Sequence, residues 1–207
     1  MRRKSVAFLI VAMVAAPAMA ALFGPGKFKV VEADTRFTES GNPVFRSENN
    51  RISRKSVVGG IHLNADGVYV NPIATRSKAS GEVLAIGLTV LNKTDFDTMY
   101  GGPNQLGVLR EIAFLLDDSI PLVLPIENGR VDWADTSTYN SITRSASAQV
   151  AETGIARISI EQYRRVLSAK SIAVRIEGSK RSVTYEVKDI APTFRENLQA
   201  FYESALK

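Results

Sequence analysis

The alternation of apolar and polar residues near the C-terminus restricts the fold of this chain more than any other feature. Apolar side chains occupy every second position over residues 172–176 and again over 183–187, with a turn at residues 178–181 between the two runs. These apolar positions are Ile172, Val174, Ile176, Val183, Tyr185 and Val187. Because successive side chains of a β-strand point to opposite faces, the pattern predicts an antiparallel hairpin with one buried and one solvated face.

Two short helices flank this predicted hairpin. The first follows a strand at residues 156–158 and begins at a capping box, because Ser159 and Gln162 have the S-x-x-Q spacing. The second starts near Pro192, a residue favoured in the first turn of a helix. Its apolar stripe consists of Phe194, Leu198, Phe201 and Ala205, and Arg195 lies off that stripe. We expect the stripe to cover the apolar face of the hairpin, which predicts an antiparallel sheet with helices on one face.

The preceding part of the chain, residues 28–150, has the patterns of β-strands. The run at residues 82–92 is apolar on both faces, which predicts a central strand that is covered on both sides. Residues 136–152 are rich in Ser, Thr and Ala and lack helical periodicity. They predict either a long polar strand or an extended loop.

Turn and edge signals divide this β-rich part. Asn128 and Gly129 form one of the dipeptides that most strongly favour a tight hairpin turn. Pro72 favours an edge position, and so does the segment 120–126 with its two prolines, because proline cannot donate a hydrogen bond to a neighbouring strand.

The fold class that follows is α+β, with a mainly antiparallel β-sheet or sandwich-like core and a C-terminal strand-helix-strand-strand-helix segment. We expect one domain over residues 28–207, β-rich over 28–150 and mixed over 154–207. No linker rich in Pro, Gly or Ser separates the two parts, and the second is short for an independent core. Residues 21–27 contain a Gly-Pro-Gly sequence and predict a flexible lead-in.

The N-terminus has the pattern of a secretory signal peptide. Basic residues at 2–4 precede an apolar run at 6–16, and Ala18 and Ala20 form the A-x-A ending of a cleavage site. The run is too short to span a bilayer as a helix, which takes about 20 residues. The pattern predicts a mature chain that begins at Ala21, is soluble, and lies in the periplasm or outside the cell without stable membrane insertion.

Charge and cysteine content exclude several functions. The chain has 26 basic and 21 acidic side chains, and removal of residues 1–20 leaves 23 basic against 21 acidic. A nearly balanced charge argues against a nucleic-acid partner. The chain has no cysteine, which excludes thiol nucleophiles, cysteine-ligated zinc, iron–sulfur clusters and a lipoprotein anchor.

Catalytic residues are not indicated by the sequence. His62 is the only histidine, and no G-x-S-x-G motif accompanies it as a nucleophile. Ile61 and Leu63 flank His62, so in a strand its side chain would point away from theirs, to solvent. We therefore predict no catalytic residue and interpret His62 as a surface histidine.

Metal and cofactor sites are not indicated either. The carboxylates pair as Asp95 with Asp97, Asp117 with Asp118, and Asp132 with Asp135. The spacing around Asp95 does not meet the EF-hand pattern, and Asp117 and Asp118 are typical of a turn. No Gly-rich phosphate loop is present, and Gly101 and Gly102 favour a plain turn. The sequence predicts no metal ion and no cofactor.

The remaining candidate site surrounds Trp133, the only tryptophan. Asp132 and Asp135 flank it, and Tyr139 follows. An aromatic group near polar groups can bind a sugar ring or anchor a protein partner, and the alternative is a partly buried Trp that covers the core.

Function is therefore predicted mainly by exclusion. We expect a non-enzymatic protein that binds a protein partner or an envelope component such as a glycan, in an oligomeric state that the sequence leaves open. The alternative is a carboxylate-based hydrolase of envelope glycans or polymers, which would need two carboxylates facing each other across a cleft.

Overall fold

The structure is a computed structural model that describes residues 26–35, 40–62 and 64–207, with Asp135 and Thr136 described through their backbone only. The predicted signal peptide, its cleavage residues Ala18 and Ala20, and most of the predicted lead-in at 21–27 lie outside the described residues.

The described residues form nine strands and two α-helices. The strands are β1 (Lys29–Ala33), β2 (Val44–Glu48), β3 (Gly67–Arg76), β4 (Val83–Asp97), β5 (Leu109–Leu116), β6 (Leu122–Asn140), β7 (Ser145–Arg157), β8 (Ile172–Gly178) and β9 (Ser182–Tyr185). The helices are α1 (Ile160–Ser168) and α2 (Pro192–Phe201), and α2 continues into a π-helical turn at Tyr202–Leu206.

The nine strands form one sheet in the order β1-β2-β3-β4-β7-β6-β5-β8-β9, and every described pair is antiparallel. The predicted fold class, α+β with a mainly antiparallel sheet, is confirmed. The β-rich part and the mixed C-terminal part share this sheet, because β8 pairs directly with β5.

The predicted C-terminal hairpin is β8 and β9, with Val174 opposite Tyr185 and Ile176 opposite Val183. The predicted capping box of α1 is also present: Ser159 Oγ accepts from the Gln162 amide at 3.1 Å, and Gln162 Oε1 accepts from the Ser159 amide at 2.8 Å. The placement of Val187 on the buried face was wrong. Strand β9 ends at Tyr185, and a 3₁₀ turn at Val187–Asp189 exposes the Val187 side chain.

The hairpin turn predicted at Asn128 and Gly129 was wrong, because both residues lie inside β6. Asn128 has a φ of 54°, and the register with β7 shifts between Glu127 and Arg130, so the pair forms a bulge. A Cβ at Gly129 would lie 2.5 Å from the Leu109 carbonyl oxygen. The glycine therefore permits a close backbone contact with β5, and the observed hairpin turn lies further on, at residues 141–144 between β6 and β7.

The two proline predictions have different outcomes. Pro72 lies in β3, which is interior to the sheet, and it pairs with Leu88, so the expected edge position was wrong. The ladder between β2 and β3 begins only at Ile73, and the Ser47 hydroxyl donates to the Pro72 carbonyl at 3.1 Å. Strand β6 is also interior in the sheet order. Its first residues, up to Pro125, pair only with β5, because the pairing of β6 with β7 starts at Ile126. This part of the strand therefore has the one-sided pairing that is expected of an edge.

The sheet curves so that β3 and the β9 end are bridged by the segment around Ile52. The Ile52 amide donates to the Val68 carbonyl of β3 at 2.9 Å, and the Ala191 amide donates to the Ile52 carbonyl at 2.8 Å. Lys55 Nζ donates to the Thr184 carbonyl of β9 at 3.3 Å. The segment around Ile52 therefore connects β3 to the opposite end of the sheet and to the start of α2.

The apolar stripe of α2 fills the inside of this curved sheet. Phe194, Leu198 and Phe201 are buried and belong to one apolar cluster with the inward-facing residues of the strands. These strand residues include Val70, Leu88, Phe114, Val174, Ile176, Val183 and Tyr185. Helix α1 lies alongside, and its Tyr163 hydroxyl donates to the Leu198 carbonyl at 2.9 Å. The expected packing of α2 against the hairpin face is thus present.

Arg195 is not the uninvolved surface residue that its position off the stripe suggested. Its guanidinium donates to the Leu167 carbonyl at 3.0 Å and to the Lys170 carbonyl at 3.2 Å. These carbonyls lie at the C-terminal end of α1, where backbone acceptors lack helical partners. Arg195 therefore ties the end of α1 to α2.

We predict that Phe201→Ala lowers the free energy of unfolding by about 3–5 kcal/mol, because truncation of a buried Phe removes transfer energy and leaves a cavity. Urea denaturation measures the change. Glu196→Ala, at an exposed position of the same helix, is the control and should change stability by less than about 0.5 kcal/mol. Equal stability of the two variants would show that α2 does not pack in this way.

Candidate functional site

The residues of the sequence-predicted site lie on β6, in the part of the strand that pairs with β7. Trp133 is 51% exposed and Tyr139 is 65% exposed. Asp132 is half-exposed and forms a salt bridge with Arg130 at 2.8 Å. The Asp135 side chain lies outside the described residues. Both aromatic side chains of this strand are thus accessible to solvent.

Trp133 is held in place by one neighbouring ring. Its indole meets the Phe96 ring edge-on, with 5.3 Å between centroids and 73° between planes. The register explains the contact: β7 lies between the two strands, and Trp133 is opposite Val150 while Phe96 is opposite Ala148. The ring contact fixes one edge of the indole and leaves half of its surface in solvent.

Three further exposed apolar side chains, which sequence reasoning missed, lie at the same end of the sheet. They are Met99, Tyr100 and Ile142. The turn after β4 is fastened to the start of β7, because Thr98 donates from its amide to the Ala146 carbonyl at 2.9 Å and accepts from the Ala146 amide at 2.9 Å. Ala146 is also opposite Tyr139 of β6, so the turn after β4 lies at the same end of the sheet as Tyr139. We call Phe96, Met99, Tyr100, Trp133, Tyr139 and Ile142 the aromatic end.

Asp97 shapes the turn that exposes Met99 and Tyr100. Its Oδ1 accepts from the Met99 amide at 2.7 Å and from the Tyr100 amide at 3.3 Å. Its backbone forms two hydrogen bonds with Gly101, at 3.0 and 2.6 Å. Asp97 therefore has a structural role, and the predicted turn at Gly101 is present.

Glu152 holds the loop that follows this turn. Its carboxylate is fully buried and accepts from the amides of Leu106 and Gly107, each at 2.7 Å, and from Asn92 Nδ2 at 2.8 Å. Asn92 also donates to the Asn104 carbonyl at 2.9 Å. Glu152 stands in a polar part of the sequence, and nothing in the local pattern distinguishes it from a surface residue. Its role arises only because β7 lies beside β4.

A carboxyl pair forms on the other face of β4. Asp95 lies close to Asp66, and partial desolvation together with the charge of Asp66 raises the pKa of Asp95 to about 6. Asp95 nevertheless has an exposed side chain. The neighbouring negative charge of Asp66 disfavours ionisation of Asp95, and glycoside hydrolysis would instead need two carboxyls that face each other across a cleft.

Lys93 is next to this pair, over the ring of Tyr69 at 5.5 Å from its centroid. Burial lowers the pKa of Lys93, while the charges of Asp66 and Glu48 raise it. Lys93 thus places a cation beside the carboxyl pair. Within the part of the chain that the structure describes, no three His, Asp or Glu side chains group as metal ligands.

The prediction of a solvent-facing His62 was wrong. His62 is 8% exposed, whereas its neighbour Ile61 is 67% exposed. The segment is not a regular strand: the His62 amide donates to the Arg54 carbonyl at 2.8 Å across a turn in which Gly59 and Gly60 have positive φ. The turn, and not the apolar pattern, decides which side chain points inwards.

The predicted turn at Asp117 and Asp118 is confirmed, since both residues follow β5 with positive φ values of 51° and 54°. Asp117 Oδ1 accepts from the Ser171 amide at 2.8 Å, and this bond lowers the pKa of the Asp117 carboxyl. Asp117 thereby connects the β5–β6 turn to the start of β8.

Comparisons of the chain with protein-family models, with curated proteins and with solved structures find no match. Over residues 26–35, 40–62 and 64–207, no helix combines the length and apolar character needed to cross a bilayer.

We predict that Glu152→Ala lowers the free energy of unfolding by about 2–5 kcal/mol, because at least two buried donors lose their acceptor at about 1–3 kcal/mol each. Urea denaturation measures the loss, and amide exchange at Leu106 and Gly107 should accelerate with it. Glu127→Ala is the matched control: its salt bridge to Arg157 at 3.1 Å is exposed, so the change should stay below about 1 kcal/mol. Similar losses in both variants would contradict the anchoring role of Glu152.

Proposed function

We propose that this chain is an exported, non-enzymatic binding protein and that its aromatic end holds a protein partner. One observation carries the proposal: five large apolar side chains, Met99, Tyr100, Trp133, Tyr139 and Ile142, are exposed at one end of the sheet. Large apolar side chains that group at one end of a sheet, unlike ones scattered singly over a surface, are typical of a binding site.

The composition of the aromatic end favours a protein over a glycan. Trp, Tyr and Met are enriched in protein–protein interfaces, and Trp and Tyr dominate binding energy there. A sugar ring stacks on an aromatic face but also needs polar partners, and neither Met99 nor Ile142 offers a strong one. The mixture of aromatic and aliphatic groups therefore supports a protein as the partner.

The alternative, a carboxylate-based hydrolase, has less support. Asp66 lies beside Asp95 and exchanges hydrogen bonds with Asn64, and the carboxylate of Glu152 accepts from backbone and Asn92 donors. Asp132 forms a salt bridge with Arg130 at the surface. Each of these groups has a structural partner in place of a facing carboxylate across a cleft.

Export is a separate part of the proposal. If residues 1–20 are a signal peptide, the chain recovered from the periplasm or medium begins at Ala21. Intact-mass measurement of the exported chain should give the mass of residues 21–207. A mass that includes residues 1–20 would contradict cleavage after Ala20, and a variant with Ala18→Glu, which places a charge in the cleavage motif, should accumulate as the uncleaved precursor.

Binding is tested by replacing both accessible rings. The double variant Trp133→Ala with Tyr139→Ala should bind its partner at least tenfold more weakly than the parent, because large aromatic side chains at an interface centre contribute about 2 kcal/mol or more each. The partner is captured from an envelope extract with the immobilised mature chain, and its affinity is then measured by calorimetry.

The matched control is Ile120→Ala, an exposed apolar residue in the β5–β6 turn, outside the aromatic end. It should bind like the parent. Equal binding by the double variant and the parent would refute the role of the aromatic end. Capture that survives protease digestion of the extract but ends after removal of glycans would show that the ligand is a glycan.

A further inference from the structure

The segment at residues 53–62, which we call the latch, lies between β3 and the β9 end of the sheet. It follows Ile52, whose backbone connects β3 to the start of α2. Within the latch, Lys55 forms a salt bridge with Asp189 at 2.7 Å, next to β9. The latch therefore contacts the C-terminal part of the protein through Lys55, which also donates to the Thr184 carbonyl, and Val57 packs against the apolar core.

The turn of the latch is exposed, and its last residue, His62, is buried. The Ser56 amide donates to the Gly60 carbonyl at 3.1 Å across the turn, and Val58 and Ile61 are exposed. The Val58 amide reaches Asn104 Oδ1 at 3.4 Å. His62 ends the latch and is buried, so the latch is fastened at this end by a titratable side chain.

His62 lies in a buried site in which the described residues offer no hydrogen-bond partner to one of its two ring nitrogens. Its Nε2 has no hydrogen-bond partner among the described residues. Arg51 is buried nearby, and its Nε and Nη2 likewise have none, while its Nη1 donates to the Asn64 carbonyl at 3.1 Å. An additional positive charge at this place would face an existing one in a poorly solvated environment.

The charged groups around His62 come from several elements. Asp66, in the turn before β3, favours protonation of His62, and Arg51 opposes it. Arg54 of the latch, Tyr69 of β3 and Tyr185 of β9 act on Arg51. Burial outweighs Asp66, so the pKa of His62 lies below its ordinary value; burial also lowers the pKa of Arg51.

We propose that His62 makes the latch acid-sensitive. The neutral imidazole fits the buried site beside Arg51, and protonation drives the side chain into water, which opens residues 53–62 while the core strands stay folded. The opening stays local because His62 ends an exposed turn, whereas Ile52 remains fixed by its two backbone hydrogen bonds.

The direction of the pH effect follows from linkage. A histidine whose pKa is lower in the closed form than in the open form stabilises the closed form fully above about pH 6.5 and loses this contribution as pH falls. Opening should then increase up to tenfold per pH unit until the pKa of the closed form is reached. Asp95 acts with the opposite sign, because its raised pKa of about 6 favours the protonated folded form at acid pH.

Amide exchange between pH 7 and pH 5, corrected for the intrinsic rate, tests the proposal on the mature chain without a histidine tag. The opening constants of the Ser56 and His62 amides, both bonded within the latch, should rise by up to about fivefold from pH 6.5 to pH 5.5. Amides of β5 and β8 should keep their protection. His62→Gln is uncharged throughout and should show no such rise, whereas Asp95→Asn should retain it.

The single histidine also permits a direct check by NMR, since its ring resonance gives the pKa of His62 alone. A pKa below 6.5 in the parent is expected. A pKa at or above 6.5 would overturn the proposal, even if His62→Gln failed to fold. Latch protection that follows the core strands at every pH, or the same pH dependence in His62→Gln as in the parent, would overturn it as well.

Discussion

The apolar inner face of a curved antiparallel sheet is the constraint on which this structure depends. A chain without disulfides must be stabilised by its core, and here α2 supplies the missing side of that core with Phe194, Leu198 and Phe201. The other connections follow from this packing. The segment around Ile52 can join β3 to the β9 end of the sheet because α2 begins beside it, and Arg195 ties α1 to the helix that fills the interior.

The C-terminal part of the fold could be predicted because its signals are local. The capping box at Ser159, the alternation in β8 and β9, and the stripe of α2 depend on residues a few positions apart, and each is present in the structure. The errors occur where a distant contact decides. Asn128 and Gly129 have the composition of a hairpin turn, but the Leu109 backbone lies against Gly129 and the strand continues as a bulge.

The candidate site was found only in part for the same reason. Trp133 and Tyr139 could be chosen because an aromatic strand in polar surroundings is visible in the sequence. Met99 and Tyr100 join them only through the pairing of Thr98 with Ala146, which depends on the order of β4, β7 and β6. Glu152 and His62 look like ordinary polar residues until the fold buries them. The partners of Glu152, Leu106 and Gly107, are far away in the chain, and the burial of His62 follows from an irregular turn that the apolar pattern does not reveal.

The pairing of β4 with β7 has a consequence for folding. Asp97 is opposite Ser147 and Gly87 is opposite Arg157. The loop that this pairing closes contains the whole of β5 and β6. Closing a long loop costs conformational entropy before its contacts form, and sheets dominated by such distant pairs fold slowly. The hairpins β3–β4 and β6–β7 can each form from nearby residues. We therefore expect them to form first, and their joining along β4 and β7 to limit the folding rate of the whole sheet.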